Sequence, residues 1–357
     1  MKDKKKTKVA IGMSGGVDSS VAAALLKEQG YEVIGVFMHF WSEKVKGRVR
    51  ENICCSLDSA EDARRVCNKL GIPFYTINMK VPFKEKIVDD FIAEYKNCRT
   101  PNPCVRCNQY IKFEELWKKL KPMGVDYVAT GHYAQVKAAK GGVRLVAAKD
   151  QDKDQTYFLH QIKQKQLAHT LFPVGHLTKP DVRVLAKKFD LSTSGKKESQ
   201  EICFVANGKI GEFLQRYIKF DSGEIKDVQT KEVLGRHDGL PLYTIGQRKG
   251  IGLPGGPWYV VRLGKKDNTL WVSRDENDLL SNELKVKKVN WINEEPQYPA
   301  KLNCKIRYRS KSFPCVVEKM SNGQLLVKFK KPQRAVTVGQ YCVFWKGKAC
   351  IGGGVIV

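Results

Sequence analysis

The stretch KVAIGMSGGVDSSVAAALLKEQG, Lys8 to Gly30, decides the fold of this chain. Its first six residues form a short apolar run typical of a buried parallel strand, and the residues from Val17 onward are spaced as a helix that Gly30 ends. Glycine and serine fill the loop between them. A strand, a glycine-rich loop and a helix in this order predict an α/β fold that presents backbone amides to phosphate at a helix N-terminus.

The loop Gly12–Ser20, GMSGGVDSS, is neither of the two common nucleotide-binding loops. It lacks the lysine of the Walker loop and the spacing of the dinucleotide-binding loop. We expect Gly15 and Gly16 to let the amides curl around phosphate, with serine hydroxyls as further donors. Asp18 is unusual beside phosphate, and we expect it either to hold Mg²⁺ or to brace the loop.

The same loop resembles the pyrophosphatase-type loop, S-G-G-x-D-S, of ATP-dependent adenylating enzymes. This resemblance implies that ATP is cleaved to a substrate adenylate and pyrophosphate, without transfer of the γ-phosphate. Two further positions, Met38 and Gly131, follow predicted strands at the same sheet edge. The residues expected to bind ATP are Gly12, Met13, Ser14, Gly15, Gly16, Val17, Asp18, Ser19, Met38 and Gly131.

Strands and helices alternate up to about residue 208, which predicts a parallel sheet with helices on both faces. A hairpin that turns at Gly141–Gly142 interrupts this pattern. Beyond residue 208 glycine becomes frequent, and short alternating strands predict an antiparallel barrel or sandwich. We therefore predict a catalytic ATP-binding domain at 1–208, a small central domain at 209–276 and a C-terminal antiparallel β-barrel at 277–357.

The charge of the chain indicates a polyanionic partner. The net charge is +26, and residues 296–357 carry 12 Lys and Arg but one acid, Glu318. A basic block that also has the pattern of folded strands favours RNA or DNA as the ligand. No apolar run approaches the roughly 20 residues of a membrane helix, and the first residues lack the pattern of a signal peptide. We expect a cytoplasmic protein without membrane contact.

Two cysteines stand close together in the stretch TPNPCVRCN, Thr100 to Asn108. Cys104 and Cys107 would supply two ligands of a zinc site, but the chain contains no second Cys-x-x-Cys pair. An adenylated substrate is an electrophile, and a thiolate is a strong nucleophile for it. We expect Cys107 to lie at a helix N-terminus with Asn108 as its cap, where the helix dipole favours the thiolate.

Two arginines and a third cysteine complete this candidate site. Arg99 and Arg106 lie near Cys107 in the sequence and would also favour a thiolate. Cys203 lies in KESQEICFV, Lys197 to Val205, which we interpret as a short strand preceded by polar residues.

Taken together, the ATP loop, Cys107, Cys203 and the basic barrel resemble the tRNA-specific 2-thiouridylase family over essentially the whole chain. The resemblance implies that ATP adenylates the C2 oxygen of the wobble uridine in tRNAs of the Lys, Glu and Gln type. It also implies a persulfide on Cys203, loaded by a sulfur-relay protein or a cysteine desulfurase, and a Cys107–Cys203 disulfide formed as the sulfur is released. The matching stretches are GMSGGVDSSVAA, GVFMHFW, RTPNP…CN…IKF, ATGHYA, KDQTYFL, SQEICFV, YTIGQRKG, RYR and VGQ…VFW.

The resemblance also implies which residues meet the tRNA, and it assigns tRNA binding to both the central domain and the barrel. Asn102, Pro103 and Cys104 would face the flipped target base. The other implied tRNA contacts are His132, Lys153, Asp154, Gln155, Arg307, Tyr308 and Gln340.

One position departs from the best-known form of the family, which has an aspartate where this chain has Cys104. Cys104, Cys107 and Cys203 are therefore also candidate ligands of a [4Fe-4S] cluster, with one iron left open to bind sulfide. The persulfide route and the cluster route both stay open on the sequence. Two other functions compete: an adenylating ligase that acts on a small molecule, and a non-catalytic tRNA-binding protein with a vestigial ATP loop.

Overall fold

The computed structural model describes residues 6–45, 48–50, 56–196, 202–205 and 209–357. Within this part of the chain, the first structural unit contains nine strands, of which five form one sheet. The strands are β1 (Lys8–Met13), β2 (Glu32–His39), β3 (Glu43–Val45), β4 (Arg48–Arg50), β5 (Phe74–Asn78), β6 (Tyr127–Ala129), β7 (Gln135–Ala139), β8 (Gly142–Val146) and β9 (Thr170–Leu171).

The helices of this unit surround that sheet. Two pairs of α-helical segments are joined by π-helical segments, at Lys84–Val88 and at Cys107–Glu115. A 3₁₀ turn follows at Lys121–Met123. The α-helices are α1 (Val17–Glu28), α2 (Leu57–Leu70), α3 (Lys80–Phe83), α4 (Asp89–Lys96), α5 (Pro103–Arg106), α6 (Leu116–Leu120), α7 (Thr156–Leu159), α8 (Gln164–Leu167) and α9 (Lys179–Lys188).

The sheet has the order β5-β2-β1-β6-β9, and all of its pairs are parallel. This confirms the predicted fold class. Successive strands run outward from β1 on one side, through β2 to β5, while β6 and β9 lie on its other side. The carboxyl ends of β1 and β6 therefore flank the point where strand order reverses, which is where parallel α/β sheets bind ligands.

Two local predictions in this unit were wrong. In the sequence, the spacing of Asp58 and Glu61 predicts a capping box at the start of α2. Instead, Ser56 is the N-cap, and its hydroxyl accepts from the amide of Ser59 at 3.2 Å. Pro101 and Pro103 predict a loop over residues 100–107. This loop ends early, because Asn102 caps a helix that begins at Pro103.

The central unit is a small mixed sheet with the order β11-β10-β13-β12. It has a core of its own around Ile225, Val260 and Leu270. The predicted division near residue 208 falls on residues outside the described part of the chain. The elements are α10 (Ile210–Leu214), β10 (Gly223–Asp227), β11 (Val233–His237), a 3₁₀ turn (Leu240–Leu242), β12 (Tyr259–Gly264) and β13 (Thr269–Ser273).

The C-terminal unit is a closed antiparallel barrel of six strands, as its alternating pattern predicts. A 3₁₀ turn at Glu276–Leu279 precedes it. Adjacent strands pair in the order β14-β17-β16-β15-β18-β19, and β14 pairs with β19 to close the ring. The strands are β14 (Leu280–Trp291), β15 (Ala300–Lys305), β16 (Phe313–Lys319), β17 (Leu325–Arg334), β18 (Tyr341–Lys346) and β19 (Ala349–Ile356).

The barrel is joined directly to the first unit. The hairpin β7–β8 turns at the predicted glycines, and β8 pairs with β19 through Val146–Ala349 and Leu145–Cys350. The side chain of Gln161 adds a hydrogen bond to the carbonyl of Gly353 at 2.8 Å. The barrel is thereby held against the same unit that carries the ATP loop. No helix in the described ranges is long and apolar enough to cross a membrane.

Candidate active site

One large cavity, of about 1310 Å³, lies at the carboxyl ends of β1 and β6. All ten residues expected to bind ATP line it, from Gly12 to Ser19 together with Met38 and Gly131. The three candidate thiols Cys104, Cys107 and Cys203 line the same cavity, although they come from distant parts of the sequence. The structure thus brings a nucleotide loop and three thiols into one space.

Close backbone packing fixes the shape of the ATP loop. Gly15 has φ +69°, and a β-carbon there would lie 2.4 Å from the carbonyl oxygen of Ser59. A β-carbon on Gly131 would lie 2.7 Å from backbone atoms of Asp18 and Ser19. Both positions therefore require glycine, since any side chain would push the loop away from α2 or from β6.

Gly16 has an extended backbone and is the N-cap residue of α1. Its carbonyl accepts hydrogen bonds from the hydroxyls of Ser19 at 3.0 Å and Ser20 at 2.9 Å. The hydroxyls of Ser14 and Ser19 lie 3.2 Å apart. The loop is thereby organised by its own side chains, and Ser14 stays exposed at the cavity wall.

Asp18 braces this loop. Lys179, near the start of α9, donates to both of its carboxylate oxygens, at 2.7 and 2.9 Å. The hydroxyl of Tyr133 donates to the same carboxylate at 2.8 Å. Of the two roles that the sequence left open for Asp18, these contacts favour the bracing role.

The thiols differ in exposure. Cys104 is exposed, Cys107 is buried and Cys203 is half-buried. Cys107 does not lie at a helix N-terminus as expected. The helix begins four residues earlier at Pro103, and the amide of Cys107 already donates within the helix. Cys107 is instead the first residue of the π-helical segment, a rare geometry that recurs at functional sites.

The two arginines expected to favour a thiolate at Cys107 are paired with carboxylates. Arg99 makes two hydrogen bonds of 2.6 Å to Glu94, and Arg106 lies 2.8 Å from Asp90. The interaction with Arg99 lowers the pKa of Glu94. Neighbouring carboxylates therefore compensate much of the charge that these arginines would offer to a thiolate at Cys107.

Cys203 lies in a turn, whereas the sequence pattern indicated a strand. The preceding residues of that stretch, 197–201, are outside the described part of the chain. The next residue, Phe204, is buried against Phe83, Phe91 and Phe213, with ring centroids 5.2 to 5.8 Å away. This aromatic packing anchors the turn and holds Cys203 at the cavity.

Comparison with known proteins agrees with this arrangement. Three family models match consecutive parts of the chain: a tRNA methyl transferase HUP domain over residues 7–207, a tRNA methyl transferase PRC-barrel domain over 211–274 and an aminomethyltransferase beta-barrel domain over 281–356. The tRNA-specific 2-thiouridylase MnmA of Clostridium perfringens is 46% identical over 355 residues, 98% of each chain. The chain belongs to the tRNA-specific 2-thiouridylase family.

Other members of the family are similarly close. The tRNA-specific 2-thiouridylase MnmA of Geobacillus thermodenitrificans is 46% identical, over 98% of this chain and 95% of its own. The corresponding protein of Clostridioides difficile is 45% identical over 98% of both chains. The match therefore extends over all three structural units.

Most tRNA contacts implied by family resemblance line the cavity. These are Pro103, Cys104, His132, Lys153, Asp154, Gln155 and Tyr308. Asp154 is nevertheless buried, and it accepts hydrogen bonds from the amide of Ala148 and the hydroxyl of Thr156. Its carboxylate therefore already has a structural role.

Three other implied contacts have internal partners and are not among the residues that line the cavity. Asn102 caps α5. Arg307 donates to the carbonyl of Arg334 at 2.8 Å. Gln340 donates to the carbonyl of Thr100 at 2.8 Å. These contacts give each residue a bracing role that the sequence did not reveal.

His132 is held neutral at the cavity wall. Loss of hydration lowers its pKa well below the ordinary value, and the charge of Lys112 lowers it further. Lys112 Nζ lies 3.5 Å from His132 Nε2, and the hydroxyl of Thr130 lies 2.7 Å from Nδ1. A neutral imidazole can contact a base or ribose without adding charge.

Sequence reasoning missed several cations of the cavity, of which Lys179 has the clearest role. Its signal was weak, because TKPDVRVLAKK resembles any capped surface helix. Only the tertiary structure distinguishes Lys179 from a surface lysine, because α9 packs against α1 and brings Lys179 to Asp18. The missed cationic side chains that line the cavity are Lys112, Lys179, Lys196, Lys305 and Lys311.

The candidate cluster ligands do not form a metal centre in this arrangement. Among the described residues, no group of three or more His, Cys, Asp or Glu side chains is placed to hold a metal ion. Cys104, Cys107 and Cys203 share the cavity without meeting that condition. In this arrangement the three thiols therefore do not form a site for a single metal ion.

Proposed function

We propose that this protein catalyses ATP-dependent 2-thiolation of the wobble uridine of tRNA. Its relatives are named tRNA-specific 2-thiouridylases. The observation that carries the proposal is that the ATP loop and the thiols of distant segments line one cavity. An adenylating loop activates a substrate oxygen, and a nearby sulfur nucleophile replaces it. Neither an adenylating ligase nor a vestigial loop needs a pair of thiols such as Cys107 and Cys203 in the same cavity.

In the proposed first half-reaction, the target base enters the cavity with its C2 oxygen facing the α-phosphate of ATP. The oxygen attacks that phosphorus, and pyrophosphate leaves. The amides of the loop and the N-terminus of α1 stabilise the phosphate charge. Asp18 and Lys179 hold the loop in place. Mg²⁺ bound to the phosphates of ATP would neutralise part of their charge and would need few protein ligands, because this ion is usually held by the phosphates and one or two carboxylates.

In the proposed second half-reaction, Cys203 carries a persulfide. The Cys107 thiolate attacks the Cys203 sulfur, the S–S bond of the persulfide breaks, and hydrosulfide is released as a Cys107–Cys203 disulfide forms. The hydrosulfide attacks C2, the C2–O bond breaks and AMP leaves with the oxygen. A cellular dithiol then reduces the disulfide, and a sulfur-relay protein or cysteine desulfurase reloads Cys203.

We favour this route over the cluster route because it requires only two thiols, Cys107 and Cys203, and both line the cavity beside the ATP loop. Cys104 is then an exposed third thiol that lines the cavity. It stands where the best-known form of the family has an aspartate, and it is not required for the two half-reactions above.

The basic side chains of the cavity wall are proposed to receive the anticodon arm. Lys305, Arg309 and Lys311 line it from the barrel side. Tyr308 lies between them in sequence and packs on Phe158 with ring centroids 4.3 Å apart, which offers a stacking surface for a base. We propose tRNAs of the Lys, Glu and Gln type as substrates and domain divisions near 208 and 276.

The test is an anaerobic assay with purified protein, ATP, Mg²⁺, unmodified tRNA and a persulfide donor, followed by nucleoside mass spectrometry. We expect 2-thiouridine and pyrophosphate in equal amounts, and Cys203→Ser should abolish 2-thiouridine while ATP still binds. Pyrophosphate without tRNA would indicate a small-molecule ligase. Binding of tRNA without any pyrophosphate would indicate a non-catalytic protein. Full activity with stoichiometric iron and acid-labile sulfide would favour the cluster route.

A methyl-transfer control belongs to the same assay, since two of the matching family models are described as tRNA methyl transferase domains. Replacing ATP and the sulfur donor by S-adenosylmethionine should leave the tRNA unmodified. Methylated nucleoside in that arm would contradict the proposed reaction.

A further inference from the structure

Asn108 presents a buried acceptor that nothing in the described part of the chain satisfies. It follows Cys107 in the π-helical segment, lines the cavity and is 2% exposed. Its Nδ2 donates to the carbonyl of Phe158 at 3.1 Å. That hydrogen bond fixes which end of the amide is which. The remaining atom, Oδ1, is buried and has no hydrogen-bond partner among the described residues.

An orphaned acceptor of this kind requires an explanation, because burying a carbonyl oxygen without a donor is unfavourable. Asn108 is not at the surface, where water would serve. A substrate group with an N–H or O–H that enters the cavity would satisfy it. The side chain cannot turn to offer its donor instead without losing the hydrogen bond to Phe158.

The surroundings indicate a planar base as that substrate group. Phe158, whose carbonyl orients Asn108, also carries the ring that packs against Tyr308 at 4.3 Å. Both rings line the cavity. Asn108 and its sequence neighbour Cys107, the nucleophile candidate, line the same cavity, so a base stacked on these rings would share that cavity with both residues.

We propose that Asn108 Oδ1 accepts a hydrogen bond from N3–H of the target uracil and thereby selects uridine and positions its C2 carbon. This inference rests on the proposed function. Uracil has one ring N–H available in a nucleoside, at N3, directly beside C2. Neutral cytosine has a lone pair at N3, which would face the lone pair of Oδ1 and be repelled. Asn108 acts as a specificity-determining and positioning residue, since an amide oxygen is too weak a base to remove the proton.

The same hydrogen bond becomes stronger during the reaction. Adenylation of O2 withdraws electrons from the ring and makes N3–H a better donor. Its loss should therefore lower kcat as well as raise KM. A site built to hydrogen-bond one substrate N–H rejects analogues that lack it, because the buried acceptor is then left unpaired.

The test pairs protein variants with altered bases in an anticodon stem-loop that carries uridine, cytidine or 3-methyluridine at the target position. 3-Methyluridine lacks the N3 donor and adds bulk at the same place. Wild-type protein should thiolate uridine at least 100-fold faster than either analogue. Asn108→Ala removes the acceptor and opens space, so uridine thiolation should fall by about 10- to 100-fold while 3-methyluridine is accepted nearly as well as uridine.

Asn108→Leu keeps the volume of the side chain and covers the case in which the alanine variant does not fold. It should lower uridine thiolation by a similar factor and reduce the uridine-to-cytidine preference by at least 10-fold. The matched control is Gln109→Ala. Gln109 follows Asn108 in sequence but does not line the cavity, so this variant should keep the preference for uridine over cytidine and over 3-methyluridine. Melting temperature and ATP binding are measured for each variant.

If the Asn108 variants lose uridine activity but keep the preference for uridine over cytidine and 3-methyluridine, the proposal is overturned and Asn108 is a structural residue. A water molecule that donates to Oδ1 and stays there when the stem-loop binds would overturn it as well. Wild-type protein that thiolates no substrate at all would overturn the proposed function as well, so the two failures are distinguishable.

Discussion

Lys179 and Asp18 form an ion pair in which the lysine donates to both carboxylate oxygens, at 2.7 and 2.9 Å, while its side chain is 9% exposed. The pair joins the first turn of α9 to the first turn of α1, although the two residues are 161 positions apart. The loop whose backbone amides bind phosphate is thereby held in place by a residue of another helix, α9. Proteins stabilise developing charge most effectively with groups that are already oriented.

Replacing Lys179 should therefore impair adenylation more than folding. We expect Lys179→Met to lower the rate of pyrophosphate release by about 100- to 1000-fold, the usual effect of losing a preorganised electrostatic contact. The control is Lys187→Met, an exposed lysine in the last turn of the same helix. Pyrophosphate release at the wild-type rate from Lys179→Met would mean that the loop needs no brace.

Gln340 tests whether the barrel supports the thiol-bearing segment. Its Nε2 donates to the carbonyl of Thr100, and the amide of Thr100 donates to Val338 at 3.0 Å. Gln340→Leu should lower kcat for thiolation about 10-fold and leave the salt dependence of tRNA binding unchanged. A raised KM with a flatter salt dependence would restore Gln340 to the role of a direct tRNA contact.

Thiol reactivity should separate the two more exposed cysteines of the cavity, Cys104 and Cys203, from the cysteines of the core. Burial raises the pKa of Cys67 to about 11 and also raises that of Cys350, so both should resist alkylation. Exposed Cys104 and half-buried Cys203 should react first with iodoacetamide in native protein. Peptide mass spectrometry after brief labelling measures this order, and early labelling of Cys67 would contradict the packing of α2.

The stability of the protein should fall in mild acid because His160 is buried as the neutral form. Burial lowers the pKa of His160 from 6.5 to about 4. The unfolded chain binds this proton below about pH 6.5 and the folded chain does not, so stability is constant above that pH and is lost as the pH falls towards 4. The contribution is up to roughly 3 kcal/mol.

The pKa values of His132 and His237 are also lowered, so variants are needed to measure the contribution of His160 alone. His160→Gln should flatten the pH dependence of urea unfolding between pH 6.5 and 4. His169→Gln, at an exposed position, should leave it as in the wild type. Equal pH profiles for wild type and His160→Gln would refute the assignment.

Local sequence signals predicted the elements around the ATP loop well, because strand, turn and helix are consecutive there. Lys8–Met13 has the predicted bounds, and α1 begins at Val17 as its pattern indicates. The same kind of signal misplaced the start of the helix that contains Cys107. Asn102 and Pro103 also have the pattern of an N-cap followed by a first-turn proline. The helix begins there and not at Asn108.

Contacts between distant segments could not be predicted from local patterns. Nothing in the sequence of β8 indicates that it pairs with β19, or that Lys179 reaches Asp18. The orphaned oxygen of Asn108 depends on the path of Phe158, fifty residues later. Such relationships arise only when the tertiary structure brings the partners together.

The central claim is that ATP activates the C2 oxygen of uridine, and an oxygen-isotope measurement tests it most directly. An anticodon stem-loop with ¹⁸O at uridine C2 is incubated with the protein, unlabelled ATP and a persulfide donor. The account predicts one ¹⁸O atom in the phosphate of AMP for each 2-thiouridine formed, since the C2–O bond breaks and the oxygen leaves with AMP. Thiolation with unlabelled AMP and ¹⁸O in water would contradict it.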